Sequence, residues 1–284
     1  MAIIAIGKFN VLGPLGSGAN STILHIRREE DGREYALKVV TFDGEDDQKY
    51  LEQINHELRV GQMFNHPSLV KIHALELEKG FLGLGAVKKA KLLVEYVPGA
   101  TLDKAKLIKP AKLFRVLEKV ASGLAHMHTK GVLHADLKPG NIMVGRGTNA
   151  KVIDYGLAWI KGQPKDRVQG TPEYLAPETA SNKMVSERTD IYNFGATMYR
   201  LATFQLPPSH VPMEGIKLRE KDFKAALKPV LELVPSTKPD FAKLIHDCLE
   251  FDAHKRPHEM AAVQARLETL ADAAEATADS ADLE

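Results

Sequence analysis

The stretch His134-Ala135-Asp136-Leu137-Lys138-Pro139-Gly140-Asn141 decides how the rest of the chain is read. It holds a carboxylate able to accept a proton (Asp136), a cation (Lys138) and an amide able to bind a metal (Asn141). Pro139 and Gly140 keep it from being regular helix. Val132 and Leu133 precede it, and Ile142, Met143 and Val144 follow. It therefore reads as a polar loop pinned between two short buried strands, a good mount for reacting groups. After the apolar pair Val152 and Ile153 comes Asp154-Tyr155-Gly156. Two carboxylates and an amide on adjacent loops could hold a divalent cation and a phosphate chain. The lesser alternative for either loop taken alone is a polar surface turn.

These segments resemble the catalytic and metal-binding loops of the protein kinases, His-Arg-Asp-Leu-Lys-Pro-x-Asn and Asp-Phe-Gly. The chain departs from that pattern twice, with Ala135 in place of the arginine and Tyr155 in place of the phenylalanine. The resemblance implies an α+β, two-lobed protein-kinase fold. A small β-rich N-lobe with one main helix is expected over about 8–97, and a larger, mainly helical C-lobe over about 101–270. Residues 271–284 are Ala-, Asp- and Glu-rich without an apolar stripe and read as a disordered acidic tail.

Composition permits this reading. The chain has 284 residues, enough for two lobes with a sizeable core, and its 44% hydrophobic and 26% charged content is that of a soluble globular protein. A formal net charge of +1 gives no general reason to expect nucleic acid or an anionic membrane as a partner. Cys248 is the only cysteine, so no intrachain disulfide can form, which suits a reducing cytoplasm. Met1 to Gly7 is apolar but short and lacks a basic lead-in, a poor signal peptide. No apolar run approaches the ~20 residues a membrane span needs.

Residues 8–40 alternate apolar and polar and read as three strands, with Asp31-Gly32 a hairpin turn. Leu15-Gly16-Ser17-Gly18-Ala19-Asn20-Ser21 is similar to the kinase glycine-rich loop, with Ser21 in the third glycine's place. Lys38 interrupts the apolar strand Tyr35-Ala36-Leu37-Lys38-Val39-Val40. It is either a solvent-facing edge lysine or a buried one that needs a partner. The resemblance makes that partner Glu57, on an amphipathic helix over 47–64 and nine residues before His66-Pro67. Gly61 falls where kinases place a bulky apolar residue, and the larger Tyr155 is expected to fill some of the space it leaves. Residues 69–97 read as two strands, with Lys79 to Ala90 a glycine-rich loop between them. Leu92 to Val97 resembles the segment joining the lobes. There the resemblance implies adenine bonded to backbone at Glu95 and Val97, backed by Val94 and sandwiched by Ile23, Ala36 and Met143.

In the larger part, Pro110 and Gly131 bracket a long helix over 110–130. Gly170-Thr171-Pro172-Glu173-Tyr174-Leu175-Ala176-Pro177-Glu178 closely matches the protein-kinase substrate platform. Thr171 with Lys138 matches its serine/threonine branch. Glu178 with Arg256, and Asp190 under the catalytic loop, are expected in structural roles. Leu206-Pro207-Pro208 marks a loop, and 216–272 reads as further helices.

The implied reaction moves the γ-phosphoryl of ATP to a protein Ser or Thr. Lys38, held by Glu57, is expected to orient the phosphates, with Gly16, Ser17, Gly18 and Ser21 covering them. Asn141 and Asp154 are expected to bind Mg²⁺, or alternatively Mn²⁺. Asp136 is expected to orient the hydroxyl and Lys138 to neutralise the transferring phosphate. The plain catalytic domain resembles a bacterial or effector kinase more than a receptor. Partners implied are a protein substrate and a candidate regulatory protein. The alternatives are a pseudokinase scaffold and a small-molecule kinase. Ala135 removes the arginine that pairs with an activation-loop phosphate, and residues 156–170 contain no Ser, Thr or Tyr. Arg167 stands at the usual phosphosite, so activity without activation-loop phosphorylation is expected.

Overall fold

The alternating residues near the N-terminus form antiparallel strands β1 (Phe9–Ser17), β2 (Ser21–Arg28) and β3 (Glu34–Thr41). The computed structural model describes residues 6–18, 20–44, 47–79, 86–105, 109–163, 169–210 and 218–281. The β2–β3 hairpin turns at Gly32, whose φ of 65° is a left-handed value that glycine adopts without strain. Asp31 secures the turn by accepting the Tyr35 hydroxyl at 2.6 Å.

Helix α1 (Asp47–Gly61) follows, then β4 (Ile72–Lys79) and β5 (Val87–Glu95). The five strands form one antiparallel sheet in the order β1-β2-β3-β5-β4. Its core holds Ile26, Tyr35, Leu37, Ala74 and Leu93, with Ile6 packed beside them. The loop expected from Lys79 to Ala90 is shorter than that reading. Lys79 ends β4, Val87–Ala90 belongs to β5, and Lys79 pairs with Val87 across the hairpin. Cross-strand chemistry extends the strands: Ala90 is fully buried, and Lys91 bonds to Glu76 at 3.3 Å. Residues 80–85 lie outside the described residues, as does Arg167.

The chain divides into two compact units. The first runs to Pro98 and takes in Asp154–Gly156, and the second comprises Gly99–Ile153 and the chain from Leu157. The first is thus an antiparallel sheet with one helix; the second is mainly helical. This is the α+β composition expected of a kinase fold.

The second unit opens with β6 (Ala100–Thr101) and α2 (Pro110–Thr129). Pro110 begins α2, and Gly131, at φ 69°, turns the chain out of it. Short strands β7 (Val132–Leu133), β8 (Ile142–Val144), β9 (Ala150–Val152) and β10 (Trp159–Ile160) frame the two loops. β10 pairs with β7, and β8 lies between β6 and β9. Gly99 permits the β6–β8 approach, since a side chain there would overlap the Val144 carbonyl oxygen.

Helices α3 (Pro177–Asn182), α4 (Glu187–Thr203), α5 (Glu220–Ala226), α6 (Val230–Leu233), α7 (Pro239–Cys248) and α8 (Met260–Ala281) complete the unit. Most of α4 is buried, including Asp190, Tyr192 and Phe194. Ser186 caps it in a reciprocal arrangement with Thr189. The expected disordered tail is corrected here, because α8 continues through Ala281 along α2. Small side chains make the close approach: Ala271 is fully buried and Ala274 nearly so. Arg115 of α2 reaches Asp272 at 2.6 Å and Glu275 at 2.8 Å, turning acidic residues into anchors. Among the described residues no helix is long and apolar enough to cross a membrane.

Candidate active site

In the first unit, Lys38 and Glu57 come together as expected. Lys38 Nζ lies 2.6 Å from Glu57 Oε2, and the glutamate is buried. Burial opposes the Lys38 ammonium, but the Glu57 and Asp154 carboxylates outweigh it and raise its pKa. Lys38 is therefore a protonated cation on an inner strand, not an edge lysine. With Ser21, Asn20, Gln53 and Glu57 it lines a cavity of about 160 Å³. The turn between β1 and β2 is closed by Gly18 N donating to Ser21 O at 2.8 Å. A Cβ on Gly18 would sit 3.0 Å from Ser21 Oγ, so the serine occupies space that a third glycine would leave open. Gly16 pairs with Ile23 and Ser17 with Thr22 at the adjoining strand ends.

Ile23 and Ala36 are half-buried on β2 and β3, and Ala36 pairs directly with Val94 on β5. Glu95 closes β5, its N–H donating to Lys71 O at 2.8 Å and its carboxylate accepting Lys71 N at 3.1 Å. Val97 follows beyond the end of the strand. Next to Val97, the Tyr96 ring stacks on His25 with centroids 3.9 Å apart.

Asp154 turns back on itself, its Oδ1 accepting Gly156 N at 2.9 Å. Tyr155 is fully buried beside Phe64 and donates its hydroxyl to Val70 O at 3.0 Å. Burial raises the Tyr155 phenol well above its ordinary value, so it is a neutral donor. At Gly61, where Tyr155 was expected to fill some of the space, the nearest atoms belong to Ile72. A Cβ on Gly61 would lie 2.6 Å from Ile72 Cδ1. Sequence reasoning does not single out Gln53, although its place one turn before Glu57 on α1 is a usable signal.

In the second unit, the catalytic-loop residues assemble around Asp136, which is buried. Its Oδ1 accepts Thr171 N at 2.7 Å, and its Oδ2 lies 3.1 Å from Lys138 Nζ. Lys138 also donates to Thr171 Oγ1 at 2.6 Å. Cation, carboxylate and platform threonine thus form one closed group. Asn141 donates Nδ2 to Asp136 O at 2.9 Å, which leaves its amide oxygen as the atom suited to a cation. Met143 lies half-buried on β8.

Asp190 supports this loop from below. Its Oδ2 accepts His134 N and its Oδ1 accepts Ala135 N, both at 2.8 Å. His128 Nε2 adds a third contact at 2.8 Å, and because a carboxylate only accepts, the histidine donates. Burial raises the Asp190 carboxyl, but the His128 bond and charge and the backbone donors hold it below its ordinary value. Ala135 itself has a φ of 62°, a left-handed value rare for a residue with a side chain. His128 is a second residue that sequence reasoning leaves unmarked. Glu178 and Arg256 form a two-pronged ion pair, both bonds 2.9 Å, with the Arg256 side chain fully buried.

The donor set fits a magnesium nucleotide. Lys38, Ser21 and Asn20 present a cation and polar groups to one cavity. Among the described residues no group of three or more His, Cys, Asp or Glu gathers to hold a metal. Mg²⁺ typically needs only one or two protein ligands when phosphates supply the rest, and within the first unit the Asp154 carboxylate is a donor of that kind.

Comparison with known proteins agrees with this geometry. The family model described as the protein kinase domain matches residues 9–267. The serine/threonine-protein kinase pkn2 of Myxococcus xanthus is 32% identical over 92% of this chain and 32% of its own length. The serine/threonine-protein kinase PrkC of Bacillus subtilis is 27% identical over 82% of this chain and 34% of its own length. CBL-interacting protein kinase 8 of rice is 29% identical over 90% of this chain and 56% of its own length. The chain thus spans about a third of the length of the two bacterial relatives. With a family model covering nearly all of it, the chain belongs to the protein kinase domain family.

Proposed function

We propose that this chain transfers the γ-phosphoryl group of ATP, with Mg²⁺, to Ser or Thr hydroxyls of a protein substrate. The observation that carries the reading is the closed group of Asp136, Lys138 and Thr171, in which Lys138 Nζ bridges the carboxylate at 3.1 Å and the platform hydroxyl at 2.6 Å. Phosphoryl transfer needs placement and charge neutralisation more than covalent chemistry.

Each residue has a role in that account. Ile23, Ala36, Val94 and Met143 contact the adenine, and backbone at Glu95 and Val97 bonds its edge. Lys38, kept charged by Glu57, orients the phosphates beneath Gly16, Ser17, Gly18 and Ser21. Asp154 and Asn141 hold Mg²⁺, which when bound offsets the negative charge of the phosphates. Asp136 accepts the hydroxyl proton, and Lys138 neutralises the phosphate in transit. No phosphate on the activation loop is required, because Ala135 offers it no partner.

The experiment is transfer of labelled phosphate from ATP to a mixture of proteins, with phosphosites mapped. Wild type should label Ser and Thr, and Asp136→Ala should not. ATP binding without transfer would instead support a scaffold, and labelling of small molecules alone would support a different kinase class. Phosphatase pretreatment should leave the initial rate unchanged.

A further inference from the structure

Helix α1 turns two polar side chains toward the first unit's functional groups. Glu57 is committed to Lys38 at 2.6 Å. Gln53 lies one turn earlier on the same face. Its amide end rests against Gly156. A Cβ on residue 156 would fall 2.9 Å from Gln53 Nε2 and 3.2 Å from Asp154 Oδ1. Glycine at 156 thus leaves the space that the amide end occupies. On its other side Gln53 lines the cavity that holds Lys38 and Glu57.

We propose that Gln53 is a positioning residue for the Asp154-Tyr155-Gly156 turn. This rests on the reading of Asp154 as a metal ligand. Gly156 N clasps the turn internally by donating to Asp154 Oδ1 at 2.9 Å. Tyr155 anchors its middle through Val70 O at 3.0 Å. Gln53 adds a contact from α1, its amide end packed against Gly156. Because Glu57 ties the same helix to Lys38, a shift of α1 moves the phosphate-orienting lysine's partner and the cover on the metal turn together. That linkage supplies by packing an ordering that Ala135 and the hydroxyl-free segment 156–170 cannot obtain from a phosphate.

The test uses the full chain with Gln53→Ala, Gln53→Met, Gly156→Ala and the Gln53→Ala/Gly156→Ala pair. One readout is amide exchange at Gly156 without nucleotide. The other is the Mg²⁺ concentration that half-saturates binding of a fluorescent ATP analogue. Gln53→Ala should lower Gly156 protection and raise the half-saturating Mg²⁺ about tenfold, the scale seen when groups orienting a metal ligand are removed. Gln53→Met, equal in length but without the amide, should restore both, since the contact is one of packing. Gly156→Ala, which pushes the amide aside, should resemble Gln53→Ala, and the pair should be no worse than either single change. Unchanged Gly156 protection in Gln53→Ala, or additive effects in the pair, overturns the proposal. Asp154→Ala run in parallel separates the two readings. If it leaves Mg²⁺ dependence intact, the ligand reading fails, while exchange at Gly156 still decides the role of Gln53.

Discussion

Ile72 occupies the space a side chain at Gly61 would need, its Cδ1 and Cγ1 both 2.6 Å from the position of a Cβ there. The last turn of α1 and the start of β4 are therefore fitted to each other through a missing side chain. Gly61→Ala gains about 1 kcal/mol of helix propensity but overpacks Ile72, for a net loss of about 1–2 kcal/mol. Ile72→Ala should cost less in the Gly61→Ala background than in wild type. Urea denaturation of the four proteins of this cycle measures that coupling, and strict additivity would contradict it.

Tyr155→Phe removes the bond from a buried phenol to Val70 O, 3.0 Å long. The expected loss is about 1–2 kcal/mol of stability, because a buried carbonyl is stripped of a donor. Thermal denaturation checks it, and a stability equal to wild type would mean that the bond has no net weight.

Lys38→Met and Asp154→Ala should each lower phosphoryl transfer by about 10²-fold or more, as loss of a preorganised electrostatic contact does. Both should retain a native circular dichroism spectrum. In Lys38→Met the buried Glu57 carboxyl is left without its cation and takes up a proton rather than remain charged. Turnover near the wild-type rate in either variant would refute the site assignment.

His210 is buried against Tyr192, Phe223 and Phe251, with its Nε2 2.7 Å from the Tyr192 hydroxyl. Burial, helped by the nearby Arg256 charge, pushes its pKa down from 6.5 to about 4. A depressed folded-state value means that the unfolded chain takes the proton first. The stability it contributes is thus complete above about pH 6.5 and lost as pH falls toward about 4. Over that window wild type should lose about 2 kcal/mol more than His210→Gln. Denaturant midpoints of the two proteins at several pH values test this, and parallel pH profiles would contradict it.

Ending the chain at Leu270 removes the partners of Arg115 and the buried Ala271 and Ala274. The expected cost is about 1–3 kcal/mol, most of it from lost packing, because exposed ion pairs contribute little. Arg115→Ala alone should cost about 1 kcal/mol or less. Equal effects of the two changes would assign the anchoring to charge instead.

Sequence by itself determined the element types and the chemical groups. Alternation over residues 8–40 set β1 to β3, and Pro110 with Gly131 bracketed α2. Asp136, Lys138 and Asn141 were legible because their spacing on one short loop is local. Lys38 with Glu57 became legible only through the resemblance, since strand pattern alone left the lysine's direction open. Tertiary structure alone decided what fills the gap at Gly61, what covers Gly156, and which histidine donates to Asp190. It also decided that α8 continues through Ala281. Its acidic tail lacks an apolar stripe, yet Arg115, 160 positions away from Glu275, binds it, and alanines small enough to approach α2 are buried there. Such contacts depend on the distance between backbones that residue type does not encode. They appear only when packing brings together side chains far apart in the chain.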